Sequence, residues 1–200
     1  MNQLSEQPSG ATPLTDDDLV GLRQTWITTQ AELNMAEAEN VLRGRIWAFR
    51  RRGAFWYLDT SHIRSLHRRM FADVWDWAGQ LRLRETNIGV NFHDIGAYLH
   101  NLCEDVKAQV GSGATLAYPA DELAVRFHHR LVAVHPFRNG NGRHSRLVTD
   151  LLVRNLDRPP FSWGGIDLAS ASDTRSDYLS ALRTADRHND FTDLLAFARR

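Results

Sequence analysis

Two hundred residues leave room for one domain with its own core and little for a second. Twenty-four basic residues balance twenty-four acidic ones, so bulk charge argues against a nucleic-acid or membrane-surface partner, and any anion site must be a local arrangement. No apolar run is long enough to span a membrane, the start is too polar for a secretory leader, and the lone Cys103 excludes an internal disulfide, so a cytoplasmic protein is expected.

Residues 1–14 are expected to form a flexible lead-in and residues 15–200 a single domain. Thr15 before Asp16, Asp17 and Asp18 reads as a helix start, because carboxylates in a first turn favour the positive end of the helix dipole. Thr29 to Glu32 has the capping-box spacing and predicts a helix to about Arg50, closed by Gly53. Behind Asp59 and Thr60, the apolar residues Ile63, Leu66, Met70 and Val74 recur at helical spacing. The pattern then changes. Leu81 and Leu83 alternate with Arg82 and Arg84, and Asn87 and Gly89 supply turn residues, which predicts a small hairpin. Ile95, Leu99, Leu102 and Val106 restore the helical period, and a Gly/Ser loop follows from Val110 to Thr115. Pro119, Asp121 and Glu122 then open an amphipathic helix that runs into His135. A further helix carries Leu147, Leu151 and Val153 as far as Pro159, and two more lie around Tyr178–Ala185 and Phe191–Ala198.

The stretch with chemical content is His135-Pro136-Phe137-Arg138-Asn139-Gly140-Asn141-Gly142-Arg143-His144-Ser145-Arg146. Two glycines flank an asparagine between two helices, so Gly140 and Gly142 are expected to allow backbone geometry in which successive N–H groups converge on one anion. The helix starting near Gly142 adds its own unpaired N–H groups and positive dipole end. Arg143 and Arg146 lie three apart, on one helical face, and can grip phosphate oxygens bidentately. His135 sits on the opposite rim, and an imidazole can take a proton near neutral pH. Taken piecemeal, the same residues also fit a plain turn followed by a solvated face. A base facing a polyphosphate cradle points instead to phosphoryl or nucleotidyl transfer.

As a unit the stretch resembles the signature of the Fic family, His-Pro-Phe-x-(Asp/Glu)-Gly-Asn-Gly-Arg-x-x-Arg, at every fixed position but one. The likeness extends to Leu66–Phe71, to Trp75-x-Trp77-Ala78-Gly79, to the hairpin and to Tyr178–Ala185, so that residues 25–198 align in order. Within the family, Asn34, Glu37, Glu39 and Asn40, beside the Trp-Ala-Gly and Asn-Ile-Gly-Val stretches, most resemble the group called mobile mystery protein B. The resemblance implies an all-α, Fic-type helical bundle with a small β-hairpin flap. It implies a protein adenylyltransferase, with ATP as co-substrate and a target protein as partner; homo-oligomers are left open. His135 would deprotonate the target hydroxyl, which attacks the α-phosphate in line and expels pyrophosphate. Gly140, Asn141 and Gly142 would line the anion hole, with Asn141 on the α-phosphate, Arg143 on the β-phosphate and Arg146 on the γ-phosphate. Phe137 would anchor the loop. The flap, Leu83, Arg84, Glu85, Thr86, Asn87, Ile88 and Gly89, would clamp the target by strand-like pairing.

The departure is Asn139, where the family has Asp or Glu to hold Mg²⁺; a neutral amide oxygen is a weaker ligand. His93, His128, His129 and His144 are not obvious replacements. The family's inhibitory helix, (Ser/Thr)-x-x-x-Glu-(Gly/Asn), is matched in its last two positions by Glu39 and Asn40. Glu39 shares a helical face with Met35, Leu42 and Ile46, and on this resemblance it would occupy Arg146; as a solvated acid beside Glu32 and Glu37 it would do nothing. Other Fic chemistries (phosphate or phosphocholine transfer, removal of AMP) and a binding module with a decayed site are the alternatives.

Overall fold

The first two helices begin where the sequence places their caps. In the computed structural model, which describes residues 12–111, 113–165 and 173–200, Thr15 and Asp18 form a reciprocal capping box that opens α1 (Asp16–Val20). Thr29 and Glu32 do the same for α2 (Gln30–Arg50). Asp59 accepts from Ser61 and His62 N–H to open α3 (Thr60–Phe71), and the buried Val74 falls beyond its end. A 3₁₀ turn, Phe92–Asp94, leads into α4 (Ile95–Val110). Then come α5 (Ala120–Val134), α6 (Asn141–Asn155), a second short turn at Trp163–Gly165, α7 (Asp173–His188) and α8 (Thr192–Arg199). The domain is helical, as expected. Residues 1–11, most of the expected lead-in, lie outside the described residues, whereas Thr12 and Leu14 are buried.

The core is built from α3 (Ile63, Leu66, Met70, Phe71), α5 (Phe127, Leu131) and the apolar face of α6 (Leu147, Val148, Leu151, Leu152). Each such side chain is worth about 1.5–3 kcal/mol of burial. The packing of α5 against α6 fixes the loop between them, residues 135–140, from both ends.

Two expectations fail, each for a local reason. The apolar stripe of α2 does not face inward: Met35, Leu42 and Ile46 are 63%, 55% and 43% exposed. The buried face is instead Leu33, Glu37, Asn40, Gly44 and Ala48. A Cβ on Gly44 would meet Met70 Cγ at 2.8 Å and Met70 Cα at 3.0 Å, so the small face is what lets α2 approach α3. The Asn40 side chain donates to Arg69 O (3.2 Å) and accepts from Asp73 N (2.9 Å), fixing that register. Asn40 is therefore a tie between α2 and the end of α3.

The hairpin flap is also absent. Among the described residues the only β pairing is an isolated bridge between Leu22 and Trp75, and residues 80–91 form an irregular loop. The alternation read there is real but inverted: Leu83 is exposed while Arg82 is buried. Arg82 donates to His135 O (2.7 Å), to Arg84 O (2.8 Å) and to Val90 O. One guanidinium thus takes two carbonyls of the loop that a hairpin ladder would otherwise pair.

Candidate functional site

His135 ends α5 in the left-handed conformation, φ 50° and ψ 60°, which turns the chain out of the helix and its ring toward the start of α6. Arg82 holds its carbonyl from behind. The ring Nε2 lies 2.8 Å from Thr12 Oγ1. Burial, reinforced by the Arg82 charge, pushes its pKa down to about 4, so the imidazole is neutral at pH 7 and can accept a proton.

The loop beyond it is braced from three sides. The Phe137 ring is fully buried and stacks on His67 at 3.7 Å between centroids. His67 Nδ1 accepts from Gly79 N (3.0 Å), which leaves its Nε2–H to donate to Asn139 O (3.0 Å). The Asn141 side chain accepts from Phe137 N (2.9 Å) and donates to Phe137 O (2.8 Å). That amide is committed to shaping the loop, so its expected contact with a phosphate falls to the backbone N–H. Gly140 has φ 77°, and a Cβ there would stand 2.6 Å from the Phe71 ring. Its two requirements, a left-handed backbone and no side chain, are met by glycine alone. Gly142, by contrast, is ordinary helix, with Arg146 Nη1 3.5 Å from where its Cβ would be, and needs no special backbone.

No side chain caps α6, so the N–H groups of its first turn are left without a capping side chain. Such an end favours anions. Arg143, Arg146 and Arg175 line the same cleft, a hollow of about 990 Å³ counted out to its open mouth, along with Thr12 and Ile88. Burial works against the charge of Arg146, which Tyr178 steadies by a hydrogen bond and by its ring at 5.8 Å. Arg143 donates to Glu37 Oε2 at 2.7 Å, and Trp75 Nε1 donates to Glu37 Oε1 at 2.6 Å.

His135, Asn139, Gly140, Asn141, Gly142, Arg143 and Arg146 therefore meet in one cleft, as the motif implies. Glu39 does not join them. Its side chain is 70% exposed and its partner is Arg43, 3.6 Å away on the next turn, so the expected pair with Arg146 does not form. The neighbouring acid two residues earlier on the helix reaches the cleft instead, because the buried face of α2 is the one built on Gly44. Of the expected flap, Ile88 alone lines the cleft; Leu83, Glu85, Asn87 and Gly89 are exposed, and Thr86 donates to Ile88 O (2.6 Å). Gly89 nevertheless lies so close over the site that a Cβ would come within 2.9 Å of His135 Cβ. Arg84 reaches back to Thr15 Oγ1 (2.5 Å) and to Asp18, tying the loop to α1. The Asn139 amide donates to Thr12 O (3.3 Å) and accepts from Gly140 N (2.6 Å). His128 pairs with Tyr178, His129 with Asp186 and His144 with Ile63 O, and among the described residues no group of three or more His, Cys, Asp or Glu is arranged to hold a metal.

Residues 57–153 match the model of the Fic/DOC family. The chain is 34% identical over 102 residues to Sinorhizobium fredii y4lH, named a probable protein adenylyltransferase, covering 48% of this chain and 53% of that one. It is 30% identical over 131 residues to the protein adenylyltransferase fic-1 of Caenorhabditis elegans, covering 64% of this chain and 24% of that one. It thus spans about half, or less, of the length of these two relatives. In fold it resembles the Bartonella tribocorum effector BepC, whose structure contains AMPPNP: TM-score 0.66, 16% identity, 99% of this chain and 96% of that one. Glu37 and Thr12 both lie outside the segment that matches the family model.

Proposed function

From a chain that carries a Fic/DOC-family domain at residues 57–153, we propose a protein adenylyltransferase that moves AMP from ATP to a hydroxyl of a target protein. The observation that carries this reading is the neutral His135 imidazole facing, across one cleft, an uncapped helix end and the arginines 143 and 146. The acceptor O–H gives its proton to His135, its oxygen bonds to the α-phosphorus, and the bond to the bridging oxygen breaks as pyrophosphate leaves. Backbone N–H groups at Asn141 and Gly142, with Arg143 and Arg146, hold the phosphates. The relatives named as adenylyltransferases and the nucleotide in the BepC structure support it.

Asn139 suits Mg²⁺ poorly. It offers one neutral oxygen that already accepts from Gly140 N, and Glu37, the acid that reaches the cleft, is committed to Arg143 and Trp75. Any Mg²⁺ would be held chiefly by the nucleotide's own phosphates. The amide's present bonds are also what a decayed, nucleotide-binding module would have. The finer grouping with mobile mystery protein B and a cytoplasmic site of action belong to the proposal; Asn34 and Glu37, both lining the cleft, support the former, and the buried thiol Cys103 fits the latter.

Glu37, rather than Glu39, is the proposed brake. An arginine gripped by a buried carboxylate cannot also grip a phosphate, so the Glu37–Arg143 pair competes with nucleotide. Incubation with α-labelled and, separately, γ-labelled ATP tests the whole reading. Label on protein from the α position alone supports nucleotidyl transfer; label from the γ position means phosphoryl transfer, and none from either means a binding module.

A further inference from the structure

Positive charge gathers a second time, at the ends of α2 and α6 that lie away from the cleft. Five arginines and no acid fall between Val41 and Leu58, in a chain whose net charge is zero. Arg50, Arg51 and Arg52, where α2 ends, and Arg154 and Asn155, where α6 ends, line a hollow of about 680 Å³ counted out to its open mouth, with Trp56 as an aromatic wall. Among the described residues no carboxylate lines it. The one acid of α6, Asp150, is buried and committed to Arg45 (3.1 Å) and Trp163 (2.8 Å). The polar groups that remain are donors. The Arg51 guanidinium lies over Trp56, 4.6 Å from the ring centroid, and over Trp47 at 5.5 Å, and Arg154 lies over Phe49 at 5.4 Å. Stacking holds a guanidinium by its face and leaves its N–H edge for an anion. Asn155 accepts from Phe55 N through its Oδ1 (3.2 Å), which leaves its amide N–H groups to donate. Two carbonyls at the end of α2 that would repel an anion are already taken, Ala48 O by Arg51 N (3.2 Å) and Phe49 O by Arg154 Nη1 (2.7 Å). Arg50 and Arg52 are exposed and, among the described residues, pair with no carboxylate.

We propose that this hollow is a second anion site, which takes a small ligand carrying a short chain of adjacent phosphates. Four guanidinia around one hollow raise the local potential and call for a compact ligand of high charge. A phosphate chain is such a ligand, with several oxygens per group for bidentate arginine contacts. The volume is that of a small-molecule pocket, about 300–1,000 Å³. It is too small for a nucleic-acid track, which must follow several nucleotides of backbone. Arg50, Arg51, Arg52, Trp56, Arg154 and Asn155 all fall outside residues 57–153, so the site owes nothing to the family match and does not depend on the transferase reading. A bound phosphate chain bridges the end of α2 to the end of α6, helices whose earlier turns carry Glu37 and Arg143, and it stabilises the docked pair by mass action.

The test titrates the full chain with inorganic triphosphate at physiological ionic strength, by calorimetry, with thermal melts alongside. Arg146→Ala weakens the cleft, so that binding at the hollow can be read in its presence. We expect triphosphate to bind Arg146→Ala and raise its melting temperature, and to bind about tenfold or more weakly once Arg50→Gln and Arg52→Gln are added. Those two positions are exposed, so the melting temperature without ligand should not move. In the wild type, triphosphate should also protect Arg50 and Arg52 from phenylglyoxal, a readout that needs no variant. Binding that Arg146→Ala alone abolishes, or that the Arg50→Gln/Arg52→Gln pair leaves unchanged, puts the anion in the cleft and overturns the inference; so does full reaction of Arg50 and Arg52 in saturating triphosphate. Single-stranded oligothymidylate and a poly-glutamate peptide are the competitors. Tighter binding at the hollow by the first makes it a nucleic-acid contact, tighter binding by the second makes it an acidic-protein contact, and either overturns the assignment to a small phosphate chain.

Discussion

His135 carries two constraints at once, and they suggest a better probe than alanine. Its side chain is the proposed base, and its backbone sits at φ 50°, where only asparagine, aspartate and a few others are tolerated well. Its carbonyl, not its ring, anchors Arg82. His135→Asn should therefore lower labelling by about 10²–10⁴-fold with little change in melting temperature, whereas His135→Ala should lose the same activity and also melt earlier. Labelling rate and thermal melts of both variants check this; a fully active His135→Asn would remove the base. At Glu37 the carboxylate has two tasks, and glutamine keeps one. Glu37→Gln preserves an oxygen for Trp75 Nε1 while releasing Arg143, so labelling should rise. Glu39→Gln, at an exposed acid, should change nothing. Equal labelling by wild type and Glu37→Gln at sub-saturating ATP would make the pair mere packing. On the proposed reading, labelling by the wild type should depend weakly on Mg²⁺, and Asn139→Asp should steepen that dependence, read by titrating Mg²⁺ against labelling rate.

At the scale of elements, what was legible in the sequence was whatever one residue could fix locally. Thr15, Thr29 and Asp59 announce their helices because a side-chain oxygen either meets an orphan N–H or does not, and that depends on a few neighbours. The motif was legible for the same reason, being contiguous. The inward face of α2 was not, because it is decided by Gly44 against Met70, a contact between different helices, and not by the apolar count of α2 itself. Nor was the flap, where a buried Arg82 reverses the sense of an alternation that ordinarily places leucine inside. The two motif glycines divide along the same line. Gly140→Ala must place a Cβ at φ 77° and 2.6 Å from Phe71, which should cost about 1–3 kcal/mol. Gly142→Ala sits in ordinary helix with room beside it, so it should keep its stability and lose nucleotide affinity. Chemical denaturation paired with nucleotide titration separates the two; equal destabilisation would mean that Gly142, too, is a fold requirement.

Over the whole molecule, charge is arranged to leave the cleft positive in a chain whose net charge is zero, and four of the nine histidines are used as buried groups. His67, His128, His135 and His144 are all buried. Burial holds His67 well below the usual histidine range, pushes His128 down to about 3, and pushes His135 and His144 down to about 4. These positions could not be told from surface histidines by sequence, since nothing local to His67 announces Gly79 and Asn139 as its partners. The consequence is a pH dependence with a definite sign. Between the unfolded value near 6.5 and the folded values near 3 to 4, the unfolded chain binds more protons than the folded one. Stability therefore falls as pH drops through 6.5, each histidine adding up to about 1.4 kcal/mol per pH unit to the slope. Asp150, whose pKa burial raises, works with the opposite sign and offsets part of this at the acid end. The urea midpoint should be nearly constant from pH 8 to 7 and decline steeply from about 6 to 5. His128→Gln, which can still accept or donate toward Tyr178, should flatten that decline by one histidine's share. A midpoint that stays level down to pH 5 would mean that these histidines are solvated and titrate normally in the folded protein.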